Sequence, residues 1–93
     1  MSGNNDDILQ TRRRRAIFRA THRGTKEMDW VLGRFAQSEV AGMHEAELTA
    51  FEEFLSLPDP DIEHWVVHGA SPEPVGATGE IVARVRRFHG IGE

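Results

Sequence analysis

The 93-residue chain has no cysteine, no tyrosine and no apolar run long enough to cross a bilayer. Without cysteine there is no disulfide and no thiolate metal site, a composition that fits a reducing compartment. Without a long apolar run there is no candidate transmembrane helix. The Asn4-Asn5-Asp6-Asp7 start lacks the basic opening and apolar centre of a secretory signal, and its acidity argues against import into mitochondria by the arginine-rich stretch that follows. The expectation is a soluble protein of the bacterial cytoplasm with no insertion into a membrane. A single domain of this size buries only about two thirds of its unfolded surface, which leaves little room for a deep catalytic cavity.

What is present is charge, and it is unevenly placed. Residues 12–34 hold eight Lys or Arg against Glu27 and Asp29, whereas residues 35–83 hold ten acidic residues and no Lys or Arg. The formal net charge of -4 conceals this division. Such a distribution orients a charged protein partner more effectively than it attracts a bulk polyanion.

No segment shows sustained strand-type alternation, and five carry a helical period. In residues 7–22, Ile17 and Phe18 with Ala20 and Leu9 give a narrow apolar stripe beside a basic face. Met28, Val31, Leu32 and Phe35 follow at i, i+3, i+4 and i+7, with Trp30 off the stripe, at the edge or facing out. A third helix begins near Met43 or His44 and buries Leu48, Phe51, Phe54 and Leu55, ending before Pro58. Asp59-Pro60-Asp61 restarts a short helix with Asp59 as N-cap, directing Ile62, Trp65 and Val66 inward up to Gly69. Residues 70–79 read as a loop. A last helix turns Ile81, Val82, Val85 and Phe88 inward and leaves Arg84, Arg86 and Arg87 near its C-terminal end, where the dipole is negative. The fold class is therefore all-α, a compact bundle of about five short helices in one domain, residues 1–93. Its ordered core runs from about residue 10 to about residue 90, with residues 1–7 and 90–93 as frayed ends.

Several clusters invite a chemical reading. His64 and His68 have the i, i+4 spacing at which two imidazoles can share a metal, but no third ligand is fixed, and solvated histidines near a helix end explain them as well. No metal site is expected. Arg12, Arg13, Arg14 and Arg15 raise the possibility of a small nucleic-acid-binding protein, since clustered guanidinium groups neutralise phosphates. Against it stand the lack of aromatics among these arginines and the acidic remainder. His22 and Glu27 flank one corner, yet neither a nucleophile with a base nor a carboxylate pair in a pocket is indicated, so no enzyme and no catalytic residue is expected.

The corner itself is Arg23-Gly24-Thr25-Lys26-Glu27. A glycine between opposite charges, after one helical period and before the next, lets the chain turn and another surface come close, leaving Arg23, Lys26 and Glu27 displayed. On these five residues alone, an ordinary glycine helix end with solvated neighbours is the simpler reading. The motif is RGxxE, continued by Met28-Asp29, and downstream stands Leu57-Pro58-Asp59-Pro60-Asp61-Ile62, leading to Trp65 and Gly69. With both motifs in this order on an all-helical pattern, residues 12–90 resemble the small flavinylation and assembly factors of succinate dehydrogenase.

That resemblance implies a five-helix bundle that binds the flavoprotein subunit of succinate dehydrogenase, often also that of fumarate reductase, and promotes covalent attachment of FAD to a histidine of the partner. It implies a partner surface made of Arg23, Gly24, Thr25, Lys26, Glu27 and Asp29, with FAD attached to the partner and none held stably by this chain, which would act as a monomer. The N-terminal lead-in and the loop at residues 72–79 depart from the family pattern. A nucleic-acid binder and a helical adaptor for another partner are the alternative readings.

Overall fold

The apolar stripes condense into five helices, α1 (Gly3–Thr21), α2 (Lys26–Glu39), α3 (Glu45–Leu55), α4 (Asp59–Val66) and α5 (Gly76–His89), with a 3-10 turn at Val40–Gly42 after α2. They are seen in a computed structural model that describes residues 3–69 and 74–91. No strand occurs among the described residues. The most extensive helix pairing is α1 on α2, while α3 bridges α1 and α5, and α5 also closes over α2 and α4.

α1 begins at Gly3, upstream of the start read from periodicity, because its first turn carries no apolar period to mark it. Residues 70–73 of the expected loop, and the terminal residues 1, 2, 92 and 93, lie outside the described residues. The rest of that loop is shorter than expected, since Gly76, Ala77, Thr78 and Gly79 already belong to α5. Burial of Ile81, Val82 and Val85 further along outweighs the poor helix propensity of two glycines.

The core is a cluster in which Met28, Leu32 and Phe35 of α2, Leu48, Phe51 and Phe54 of α3, Ile62 and Val66 of α4, and Val85 of α5 are almost wholly buried. Phe51 sits between Phe35 and Phe54, with ring centroids 5.6 Å and 6.2 Å away. α1 joins through Ala16 and Ala20, which are buried, while Leu9 and Ile17 lie half-buried beside them. Phe18, expected on the stripe, is 62% exposed. Small side chains let α1 lie close on its neighbours, and the bulky residue two places after Ala16 is rotated out of that seam. Phe88, also expected inward, is 40% exposed, although its ring meets Phe35 edge-on at 5.7 Å.

Helix starts are set by local chemistry. His44 caps α3 in a reciprocal capping box: its Nδ1 accepts from the Glu47 N–H at 3.4 Å, and the Glu47 carboxylate accepts from the His44 N–H at 3.1 Å. α4 starts one residue earlier than expected, with Pro58 as N-cap and Asp59 as its first residue. Asp59 is not the cap because its carboxylate is engaged by a distant arginine, described below. At the far end of α4, Arg86 donates to the carbonyl oxygens of Trp65 and Val66 at 3.1 Å and 2.7 Å. It thus serves the C-terminus of α4 rather than its own helix. Arg84 pairs with Glu39 at 3.0 Å and with Glu47 at 3.5 Å, tying α5 to α2 and α3.

Trp65, expected to face inward, is half-buried and packs on the margin of the core. Trp65→Ala is therefore expected to cost about 1 to 3 kcal/mol, less than a fully buried aromatic, because water already reaches part of the ring. A urea melt checks this; an unchanged midpoint would mean that α4 does not depend on the indole.

Candidate functional site

Between α1 and α2 the chain reverses over His22–Thr25, and the RGxxE residues divide there into two groups. Gly24 has φ +143°, a conformation that side-chain-bearing residues rarely adopt. A Cβ at this position would meet only the Asp59 carboxylate, at 3.8 Å, so backbone conformation rather than space demands glycine. The Asp29 carboxylate reaches back from the first turn of α2 and accepts from the backbone N–H groups of Arg23 and Gly24. Thr25 is the N-cap of α2, its hydroxyl accepting from the Met28 N–H at 3.2 Å.

Arg23 is not displayed. Its side chain is only 10% exposed and passes beneath the corner. There it donates to the Asp59 carboxylate through Nε at 2.8 Å and to the carbonyl oxygens of Leu55 and Leu57. One planar guanidinium thus satisfies the last carbonyl of α3, a carbonyl of the connection that follows, and the first side chain of α4 together. The expectation of an outward Arg23 fails because its partners lie 32 to 36 positions away in the chain, where no local pattern can show them.

What remains outward is Lys26 and Glu27. Both are exposed, and neither makes a hydrogen bond or ion pair among the described residues. Arg23, Gly24, Thr25 and Asp29 therefore build the corner, and Lys26 and Glu27 are what it presents. An exposed acid and base beside a turn pinned by the Asp29 carboxylate are free to meet complementary groups on another protein.

Beside the corner lies a depression of about 320 Å³ whose lining includes Lys26, Asp29, Trp30 and Arg34. Trp30 is 53% exposed; its position off the apolar stripe was the sequence signal for this surface, but Arg34 was not singled out.

The other candidates are used differently. Arg12 donates to the Glu52 carboxylate at 3.1 Å and 2.8 Å and to Thr49 at 2.9 Å, and Arg13 donates to the Met43 carbonyl at 2.9 Å. The Glu52 hydrogen bond, with the charges of Glu52 and Glu45, raises the Arg12 pKa above its ordinary value. Arg12 is thus turned to α3 and Arg13 to the connection ahead of it, leaving Arg14 and Arg15 exposed, a weaker polyanion surface than the sequence suggested. His22 stacks on Phe18 with centroids 4.0 Å apart, and its Nδ1 lies 2.8 Å from the Phe18 carbonyl oxygen. His64 and His68 stand with ring centroids 6.2 Å apart, and no group of three potential metal ligands occurs among the described residues. No helix among them is long and apolar enough to cross a membrane.

A family model described as flavinator of succinate dehydrogenase matches residues 14–89. The chain belongs to this family. Among its relatives, the FAD assembly factor SdhE of Acetobacter pasteurianus is 44% identical over 73 residues, which cover 78% of this chain and 66% of that protein. The FAD assembly factor SdhE of Haemophilus ducreyi is 36% identical over 64 residues, covering 69% of this chain and 77% of that protein. The mitochondrial succinate dehydrogenase assembly factor 2 of Mycosarcoma maydis is 36% identical over 63 residues, 68% of this chain but only 26% of the fungal protein. In this flavinator-family chain, the RGxxE corner falls within the matched region.

Proposed function

We propose that this chain is an assembly factor that binds the flavoprotein subunit of succinate dehydrogenase and promotes covalent attachment of FAD to it, working in the bacterial cytoplasm as a monomer. The flavoprotein subunit of fumarate reductase is a second proposed client. The observation that carries the reading is the pinned corner with Lys26 and Glu27 exposed and unpaired at its edge, in a chain whose relatives are named as FAD assembly factors.

The part assigned to this chain is positional. Joining a histidine to a flavin requires the two groups to be held in a reactive orientation, and a protein that favours that arrangement accelerates the step without a catalytic group of its own. A depression of about 320 Å³ beside the corner is at the low end for small-ligand sites, which supports leaving FAD with the partner. Lys26 and Glu27 contact the partner; Arg23, Thr25 and Asp29, bonded within the chain, hold the turn.

Glu27→Ala is the direct test, expressed in cells that lack the native factor. Covalent FAD on the flavoprotein subunit, read by in-gel fluorescence, is expected to fall at least tenfold, because a charge desolvated at an interface contributes about 2 kcal/mol or more. The thermal midpoint should fall by only a few degrees, since Glu27 makes no hydrogen bond or ion pair among the described residues and its loss removes only a first-turn acid from the positive end of the α2 dipole. Full flavinylation by this variant would reduce the corner to a helix cap.

A further inference from the structure

One face of α2 carries Lys26, Trp30 and Arg34 at i, i+4 and i+8, so the three side chains stand in a row one turn apart. The row edges the depression beside the corner. Its floor is the α1–α2 seam: a Cβ on Gly33 would lie 2.8 Å from Thr21 Cγ2, so only glycine lets the two helices come this close.

Trp30 is a large apolar side chain left more than half exposed, yet it is held in place. The Arg34 guanidinium lies 5.9 Å from its ring centroid, and the His89 ring packs at 4.9 Å. His89 is itself anchored, with Nε2 2.7 Å from the Val31 carbonyl oxygen. An aromatic fixed in this way loses little side-chain entropy when something covers it. Tryptophan and arginine are also the residues most often found to dominate interface energetics.

The charge of this surface selects the occupant. Arg12, Arg23 and Arg84 are consumed by carboxylates of the same chain. Lys26 and Arg34 have no carboxylate partner among the described residues, and the nearby Asp29 carboxylate is turned to the backbone of Arg23 and Gly24. A basic, aromatic ridge calls for an acidic group beside an apolar one.

We propose that the Lys26-Trp30-Arg34 ridge docks a segment of the flavoprotein subunit in which an acidic side chain adjoins an apolar or aromatic one, extending the partner surface from the corner along α2. This rests on the functional reading above, which supplies the partner, and Lys26 belongs to both surfaces. The ridge sets affinity, while Glu27 and the corner set the arrangement in which FAD is attached.

The test uses the full chain and the purified flavoprotein subunit, with binding measured by calorimetry at several salt concentrations. Trp30→Ala and Arg34→Glu are each expected to weaken binding about tenfold or more, with thermal midpoints lowered by only a few degrees, since the Trp30 ring is more than half exposed. Arg34→Lys should restore most of the affinity, and Arg34→Glu should flatten its salt dependence. Flavinylation by Trp30→Ala should recover when the factor is in excess, whereas that by Glu27→Ala should not. Affinities of Trp30→Ala and Arg34→Glu equal to the parent's would overturn the ridge and leave the assembly-factor reading intact. No binding by the unaltered chain would overturn both. A dimer that dissociates on Trp30→Ala, with flavoprotein binding unaffected, would reassign the ridge to self-association and overturn the proposal.

Discussion

Replacing Arg23 by alanine is expected to destabilise the protein by about 2 to 4 kcal/mol, the range in which removal of one partner from a largely buried, charge-assisted network falls. The guanidinium is 10% exposed and Asp59 25% exposed; water can therefore reach the orphaned carboxylate in part, which keeps the loss below that of a fully buried pair. The carbonyl groups of Leu55 and Leu57, which accept from the same guanidinium, lose their donor as well. Arg23→Lys should recover less than half of the deficit, because an ammonium cannot span three acceptors as a planar fork does. Urea denaturation gives the magnitude, and a double-mutant cycle with Asp59→Asn gives the coupling between the two side chains. A coupling near zero would show that Arg23 acts only through the carbonyl groups.

The same side chain separates two roles that the RGxxE pattern merges. Loss of Arg23 frees the connection between α3 and α4 and the turn at Gly24 together, so amide exchange at Arg23 and Gly24 should quicken. Loss of Glu27 should leave exchange unchanged while flavinylation falls. A motif read as one partner surface thus contains a scaffold, Arg23 with Asp29 and Thr25, and a presented pair, Lys26 and Glu27.

How much of this could be read beforehand depends on whether the deciding interaction is local. α2 was legible because Met28, Val31, Leu32 and Phe35 repeat at helical spacing and are all buried. The start of α3 was legible to within one or two residues, since Glu45 and Glu47 suit the positive end of a helix dipole, whereas the cap formed by His44 was not. α1 was misread at Phe18 because it packs through Ala16 and Ala20, side chains too small to dominate a hydrophobic pattern. Asp59 looked like an N-cap because an acid before proline carries the same signal whether or not its carboxylate has a distant partner. The charge division was plain in composition, but not its use: acids of α3 and α4 neutralise Arg12 and Arg23, whereas Lys26 and Arg34 on α2, like the exposed Arg14 and Arg15 on α1, keep no carboxylate partner among the described residues.

The largest loss of stability is expected from Phe51→Ala, about 3 to 5 kcal/mol, as for other fully buried aromatics cut to a methyl group. Phe51 has no exposed surface and lies between Phe35 and Phe54, where α2 and α3 share the core. Neither neighbour can close the resulting cavity without giving up its own packing, so relaxation should be small. For a domain of this length total stability is about 5 to 14 kcal/mol, and the variant should therefore melt far earlier or fail to fold at physiological temperature. Phe51→Leu should lose only about 1 to 2 kcal/mol, since it keeps most of the apolar volume. Calorimetric melts of the two variants, with flavinylation assayed at low temperature, separate stability from function. Phe51→Ala should flavinylate in proportion to its folded fraction, because Phe51 lies in the core, behind the proposed partner surface, and contributes nothing to it except the fold. A flavinylation defect in fully folded Phe51→Ala would instead mean that the corner takes its shape from the aromatic core as well as from Arg23.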